Sequence, residues 1–141
     1  MIFGYTTGVF DMFHIGHLRV LERAKAQCDQ LIVGITTDEL SLSEKGKVPI
    51  VPFAERRQIV SAVRCVDLTV PQTSMDKRRA WESLRFDRMF VGNDWQGTDR
   101  WRTLEREFAT LGVEIVYFPY TDSTSSTHLR TALESVHGGG I

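Results

Sequence analysis

The stretch that most restricts the fold is residues 8–17, which read Gly-Val-Phe-Asp-Met-Phe-His-Ile-Gly-His. An apolar run at residues 2–5 precedes it, and an amphipathic segment at residues 18–28 follows it. The pattern predicts a buried strand that turns into a helix, with two histidines where the helix begins. At such a corner of a parallel α/β sheet, unpaired helix N–H groups and the positive end of the helix dipole face a ligand. The corner is therefore a candidate anion site.

The two histidines of this stretch favour phosphate as the anion. His14 and His17 are three residues apart, so they share one side of the predicted helix start. Gly8 and Gly16 let the backbone approach a ligand closely. A zinc site is less favoured, because no cysteine or further histidine with ligand spacing lies nearby. An ordinary pair of helix-cap histidines is the other interpretation.

The composition is that of a globular domain. The chain has 141 residues, of which 42% are hydrophobic and 25% charged, so it can bury a substantial core. We expect one domain, residues 1–136, followed by a flexible tail at residues 137–141. The formal net charge of −1 gives no general attraction for nucleic acid or an anionic membrane, and neither is expected as a partner.

The expected location is the cytoplasm. No apolar run approaches the roughly 18 residues of a membrane span, and the first residues lack the pattern of a signal peptide. Cys28 and Cys65 match no disulfide or zinc spacing. Both are expected to be buried free thiols in a reducing compartment.

Predicted strands and helices alternate along the chain. Strands are expected at residues 2–7, 31–36, 66–70, 89–91 and 113–118, and helices at 18–28, 53–63, 76–84, 103–111 and 128–136. Residues 38–52 are polar and contain Ser, Gly and Pro, so they are predicted to be a loop. The alternation predicts an α/β fold, a Rossmann-like three-layer sandwich with a five-stranded parallel sheet. Its ligands should bind at the carboxyl ends of the strands.

Residues 14–17, His-Ile-Gly-His, match the signature shared by nucleotidylyltransferases and class I aminoacyl-tRNA synthetases, and the latter need a far longer chain. Further short elements occur in the order and spacing of the small bacterial cytidylyltransferases. These are residues 8–11, 21–25, 37–39, 64–67, 92–97 and 125–127. Over nearly its whole length, the sequence resembles this family, and the glycerol-3-phosphate cytidylyltransferases above all.

The resemblance implies transfer of CMP from CTP to a small phosphorylated alcohol, such as glycerol 3-phosphate or a related polyol phosphate, with release of pyrophosphate. It also implies Mg²⁺, bound through phosphates rather than through protein side chains, and a homodimer. There are two alternatives: an adenylyltransferase that uses ATP on a phosphorylated acceptor, and a nucleotide-binding module without turnover.

Site residues follow from the resemblance together with the local pattern. His14, His17 and Lys45 are the catalytic candidates, with the histidines donating hydrogen bonds to the transition state. The predicted nucleotide contacts are Gly8, Val9, Phe10, His14, Gly16, His17, Lys47, Arg64, Asp94, Trp95, Tyr120, Thr121, Ser125, Ser126 and Thr127. The predicted acceptor contacts are Asp11, Lys45 and Arg78.

Some of these assignments have a structural alternative. Lys45 and Lys47 could lie on a solvated loop, and the basic run at residues 77–79 could be a solvated helix face. Trp95 could belong to the core, although the glycines on either side favour a ligand-binding loop. The serine and threonine run at residues 125–127 suits both a helix cap and a phosphate site.

Three positions depart from the family pattern. Tyr120 and Ser123 stand where an arginine and a glycine are expected, and Ile15 stands where the glycerol-3-phosphate enzymes are expected to have tryptophan. Arg56 or Arg130 could supply the missing positive charge. The departures concern the identity of the acceptor and, less strongly, the choice of CTP.

Overall fold

The computed structural model describes residues 1–119 and residue 133. Its elements, in chain order, are β1 (Phe3–Gly8), α1 (Ile15–Lys25), β2 (Gln30–Thr36), α2 (Asp38–Lys45), α3 (Phe53–Ser61), β3 (Leu68–Gln72), α4 (Lys77–Leu84), β4 (Arg88–Gly92), a 3₁₀ turn (Asn93–Trp95), α5 (Asp99–Thr110) and β5 (Glu114–Phe118). The five strands form one sheet in the order β3-β2-β1-β4-β5. All neighbouring strands are parallel. The predicted Rossmann-like fold with a five-stranded parallel sheet is confirmed.

Helices cover both faces of the sheet and create two cores. On one face, Leu21 and Ala24 of α1 and Val60 of α3 pack with the side chains of the strands. On the other face, Phe108 of α5 and Trp81 of α4 pack against a second apolar cluster. The inner strand β2 is buried along almost its whole length, as expected for a parallel strand between two helical layers.

Helix α2 replaces most of the loop predicted for residues 38–52, so that prediction was wrong for residues 38–45. The Thr37 hydroxyl accepts a hydrogen bond from the backbone N–H of Leu40 at 3.1 Å and caps the helix. Gly46 ends the helix in a left-handed conformation with φ of 74°. Leu40 and Ser41 are buried, so contacts with the rest of the protein stabilise a helix that contains two serines.

Other boundaries differ from the prediction in smaller ways. Pro71 lies within β3 instead of ending it, because β3 is an edge strand and an edge residue needs no N–H for the ladder. Helix α5 begins at Asp99, four residues earlier than expected, and α1 begins at Ile15. Cys28 and Cys65 are free thiols, but both are only partly buried.

Several predictions concern residues outside the described part of the chain. These are the serine and threonine run with its neighbours Tyr120 and Thr121, the last helix at residues 128–136, Arg130 and the tail at residues 137–141. Within the described part, no helix is long and apolar enough to cross a membrane.

Candidate active site

A cleft of about 620 Å³ runs along the carboxyl edge of the sheet. Each of the five strands contributes to it at or near its carboxyl end: Thr7 and Gly8 of β1, Thr36 of β2, Gln72 of β3, Gly92 of β4 and Phe118 of β5. This is the edge at which parallel α/β sheets bind ligands. The position of the cleft agrees with the one expected from the sequence.

Backbone hydrogen bonds at the start of α1 fix the orientation of two imidazole rings. The Nδ1 atom of His14 accepts a hydrogen bond from the backbone N–H of Gly16 at 3.0 Å, and the Nδ1 atom of His17 accepts one from the N–H of His14 at 3.3 Å. The ring centroids are 4.0 Å apart. Because both Nδ1 atoms accept, the neutral rings carry their protons on Nε2. Among the described residues, the buried Nε2 of His14 has no hydrogen-bond partner.

Both histidines are held in the neutral form. Burial lowers the pKa of His14. Burial and, after it, the charge of His14 lower the pKa of His17 to about 4, against the opposite effect of Asp11. At neutral pH, the pair therefore offers N–H donors rather than positive charge. Charge for an anionic ligand has to come from other side chains.

Two lysines from different elements supply positive charge to the cleft. Lys45, in the last turn of α2, is exposed and lines it. Lys77, the first residue of α4, also lines it, and its Nζ donates a hydrogen bond to the Thr7 hydroxyl at 3.2 Å. Burial and then the charge of Arg100 lower the pKa of Lys77 to about 8. Lys77 is thus still mostly protonated at pH 7.

Lys77 was not among the site residues predicted from the sequence. Its neighbours Arg78 and Arg79 suggested a solvated helix face. The available signal was Asp76, whose carboxylate accepts from the backbone N–H of Arg79 and caps α4. A cap at that position places Lys77 in the first turn after β3, at the same edge as the histidines.

The structure brings together seven of the predicted site residues. Gly8, Val9, His14, Gly16, His17, Lys45 and Trp95 all line the cleft. Trp95 is 61% exposed, so it does not belong to the core. Trp81 packs in the core, as expected. Trp101 packs there too and also contributes to the wall of the cleft.

Phe10 and Asp11 lie behind the cleft rather than in its wall. Phe10 is buried, and its ring packs edge-on against the imidazole of His17, with 5.4 Å between centroids. Asp11 is buried, and its carboxylate accepts hydrogen bonds from the backbone N–H groups of Ile50 and Val51, each at 2.9 Å. In this structure, both residues support the corner instead of forming the cleft surface.

Four other predicted residues do not line the cleft. Lys47 and Asp94 are exposed near it. Arg78 forms an ion pair with Glu107 at 2.8 Å and lines a neighbouring cavity. Arg64 is exposed and precedes the amino end of β3, so it lies at the opposite edge of the sheet. The spacing of these four residues in the sequence did not show that they lie outside the cleft. Their positions depend on whether each residue precedes or follows its strand, and therefore on the edge of the sheet at which it lies.

Arg56 has a structural role that occupies its guanidinium. It donates hydrogen bonds to the carbonyl oxygens of Val51, Val9 and Thr36 at 2.7 to 2.8 Å, and to the Asp38 carboxylate at 2.6 Å. The residue is 1% exposed and does not line the cleft. The idea that Arg56 supplies the charge missing at Tyr120 was wrong, since its donors hold the ends of β1 and β2 together.

Comparison with known proteins agrees with this geometry. Residues 5–132 match the family model described as cytidylyltransferase-like. The fold of this chain is that of a nucleotidylyltransferase, and the chain belongs to the cytidylyltransferase-like family.

The individual proteins to which the chain is similar differ in the activities that their names describe. The chain is 32% identical over 132 residues to the glycerol-3-phosphate cytidylyltransferase of Bacillus spizizenii, covering 93% of this chain and 96% of the relative. It is 34% identical over 116 residues to the FAD synthase of Pyrococcus abyssi, covering 80% and 77%. The crystal structure of a lipopolysaccharide core biosynthesis protein from Thermoplasma volcanium superposes with a TM-score of 0.71 at 27% identity, covering 88% of this chain and 99% of that one.

Proposed function

We propose that this protein transfers CMP from CTP to a small phosphorylated alcohol and releases pyrophosphate. The observation that carries the proposal is the meeting of two neutral Nε2–H imidazoles and two lysines in one cleft. Both reactants are anions, so the site has to neutralise charge and align two phosphates. The relatives named glycerol-3-phosphate cytidylyltransferase support CTP and a polyol phosphate.

The reaction is an in-line displacement at the α-phosphorus of the nucleotide. An oxygen of the acceptor phosphate forms the new P–O bond, and the bond from the α-phosphorus to the bridging oxygen breaks, which releases pyrophosphate. The acceptor phosphate is already deprotonated, so no general base is needed. His14 and His17 donate from Nε2 to oxygens whose charge grows in the transition state. Losing one such donor typically costs about 10²- to 10³-fold in rate.

The lysines divide the remaining charge between the two reactants. Lys77 lies beside Thr7 at the end of β1, where it neutralises the acceptor phosphate. Lys45 lies in the wall of the cleft at the end of α2 and stabilises the phosphates that react. Trp95, in the loop between Gly92 and Gly97, offers an exposed ring to the base or ribose.

Mg²⁺ is proposed as the counter-ion of the triphosphate and therefore as part of the substrate. The described residues contain no group of three or more His, Cys, Asp or Glu that could hold a metal ion. Glu44 supplies the only carboxylate among the described residues that line the cleft. This donor set fits a cation that is held by the nucleotide phosphates. It does not fit one that is held by side chains.

A homodimer is also proposed, as the family resemblance of the sequence implies. Sedimentation of the protein at micromolar concentration measures its oligomeric state. A monomer at that concentration would contradict the proposal.

The activity is tested by pyrophosphate release with Mg²⁺, CTP or ATP, and a panel of polyol, sugar and amino-alcohol phosphates. We expect release with CTP and a polyol phosphate, and a loss of about 10²- to 10³-fold in His17→Ala. Arg23→Ala is the matched control, because Arg23 lies on the same helix, is exposed and does not line the cleft.

Two results would replace this proposal with one of the alternatives. Release with ATP alone would make the protein an adenylyltransferase. Calorimetric binding of CTP without pyrophosphate from any acceptor would make it a nucleotide-binding module.

A further inference from the structure

A second cavity of about 470 Å³ opens beside the cleft, and we call it the side pocket. It lies between the end of α2, the loop before α4, and α5. Glu44 and Lys77 line both the cleft and the side pocket, so the two spaces meet at these residues. In the proposed reaction, the cleft holds the nucleotide and the phosphate of the acceptor. The side pocket is then available for the part of the acceptor that lies beyond its phosphate.

Six charged side chains line the side pocket, and four of them have partners within the protein. Arg78 and Glu107 form an ion pair at 2.8 Å, Asp76 caps α4, and Lys77 donates to the Thr7 hydroxyl. The other two are Glu44 and Arg100. No ion pair joins Arg100 to a carboxylate within the described residues, and its positive charge acts on Lys77 instead. Arg100 thus presents unused donors at the wall of the side pocket.

The charges of the side pocket select the chemistry of its ligand. Arg100 supplies N–H donors, and Glu44 supplies carboxylate acceptors. A second anionic group would be attracted by Arg100 but repelled by Glu44, and the opposite holds for an amine. An apolar chain would leave both charges without partners. Hydroxyl groups suit both walls, because a hydroxyl donates to Glu44 and accepts from Arg100.

The side pocket offers more space than a short chain would fill. A volume of about 470 Å³ lies within the range of pockets that take a whole small ligand, roughly 300–1,000 Å³. The three carbons of glycerol would fill only a small part of it. Arg100 lines the side pocket but not the cleft, so a ligand has to extend past Lys77 to reach it.

We infer that the acceptor is a polyol or sugar phosphate with more than three carbons, whose distal hydroxyls bind Arg100 and Glu44 in the side pocket. This inference rests on the proposed function, since it places the acceptor phosphate at Lys77. Arg100 is then a residue that determines which acceptor is used. It does not contact the atoms that react.

The test compares acceptors of increasing length at saturating CTP: glycerol 3-phosphate, erythritol 4-phosphate and ribitol 5-phosphate. We expect kcat/KM to rise with length. Arg100→Ala should lower kcat/KM for ribitol 5-phosphate about tenfold, the loss expected for one charge-assisted hydrogen bond. At pH 7, where Lys77 is mostly protonated, it should leave kcat/KM for glycerol 3-phosphate nearly unchanged, because that acceptor is too short to reach Arg100. Glu44→Gln should reduce the same preference.

Arg102→Ala is the matched control for Arg100→Ala. Arg102 lies on the same helix, is exposed and lines neither space, so its removal should leave the length preference intact. Thermal unfolding of both variants checks that the fold is unchanged. Equal kcat/KM for all three acceptors, or an equal loss for all three in Arg100→Ala, would overturn the inference while leaving the proposed function standing.

Calorimetric titration with the same three phosphates keeps the two proposals separate. If no acceptor gives pyrophosphate with any nucleotide, the proposed function fails. The side pocket is then judged by binding alone. Tighter binding of ribitol 5-phosphate that is lost in Arg100→Ala supports it, and equal affinities in the two proteins overturn it.

Discussion

The guanidinium of Arg56 donates a hydrogen bond to the Asp38 carboxylate at 2.6 Å, and this contact joins α3 to the first residue of α2. The same guanidinium binds the carbonyl oxygens of Val9 and Thr36, which follow or end the two central strands. One buried side chain therefore fixes the relative positions of the histidine corner and of the helix that carries Lys45. The geometry of the cleft depends on a charge that does not enter it.

Replacement of Arg56 by methionine should destabilise the protein by about 3–5 kcal/mol, because breaking a buried ion pair leaves its partners without donors. Arg57→Met is the matched control on the same helix. Arg57 is only partly buried and donates to Thr69 alone, so its loss should cost about 1 kcal/mol. Urea denaturation measures both. Equal losses in the two variants would show that the Arg56 network adds nothing beyond an ordinary contact.

Two substitutions of His14 should separate its role in capping α1 from its proposed role in catalysis. Its Nδ1 caps α1 by accepting from the Gly16 N–H, a contact that asparagine can replace and alanine cannot. His14→Ala should therefore lose about 1 kcal/mol of stability, and His14→Asn much less. Both variants lack the Nε2–H donor, so both should lose about 10²- to 10³-fold in rate. A rate that follows stability, with His14→Asn nearly as fast as the wild type, would argue against the catalytic role.

Deprotonation of Lys77 should lower kcat/KM for the acceptor at alkaline pH and so set an alkaline limit to the activity. Burial first, and the charge of Arg100 second, lower its pKa to about 8, so the cation is present below that pH and is lost as the pH rises through it. The kcat/KM for the acceptor, which reports the free enzyme, should fall above about pH 8. In the unfolded chain, Lys77 keeps its proton to a higher pH, so this residue should make the protein more stable as the pH rises from about 8 towards 10.5.

Three variants test the assignment of that limit. Arg100→Ala removes one cause of the low pKa and should move the limit to higher pH. Lys45→Met should lower the rate but keep the limit where it is, since this substitution changes neither Lys77 nor Arg100. A limit at the same pH in Arg100→Ala would contradict the contribution of the Arg100 charge, and a limit that persists in Lys77→Met would show that the titrating group is another one.

Gly34 makes room for the side chains of the neighbouring strand. A Cβ atom at Gly34 would lie 2.7 Å from the Tyr5 hydroxyl and 3.0 Å from Cγ2 of Thr7. The Tyr5 ring is stacked on Phe86 with 4.7 Å between centroids, so it has little freedom to move. Gly34→Ala should cost about 1–3 kcal/mol, as overpacking of a core does.

Gly92→Ala is the matched control for Gly34→Ala. Gly92 has φ of −67°, and a Cβ there would meet nothing within 4 Å. Its replacement should change stability by less than about 0.5 kcal/mol. Thermal or urea denaturation of the two variants decides the matter, and two equal losses would mean that the steric contact with Tyr5 is not the cause.

The parts of the fold that depend on neighbouring residues were predictable. The apolar run of β2 and the histidine corner are local patterns, and the structure confirms each as an element. The Asp76 cap of α4 is a local feature as well. Helix α2 also had local signals, a Thr37 cap and a Gly46 end. The serines and prolines around them favoured a loop, so burial of Leu40 and Ser41 decided the outcome.

The sequence by itself determined the class of fold and the strand-to-helix corner that carries the two histidines, because strand periodicity, helix caps and strand-to-helix turns arise from residues that are close along the chain. Only the tertiary structure decided what each charge does. It placed Lys77 in the cleft, turned Arg56 into a buried support and moved Arg64 to the opposite edge of the sheet. The reason is physical: a cation is assigned its role by burial and by neighbours in space, and those neighbours are distant in sequence.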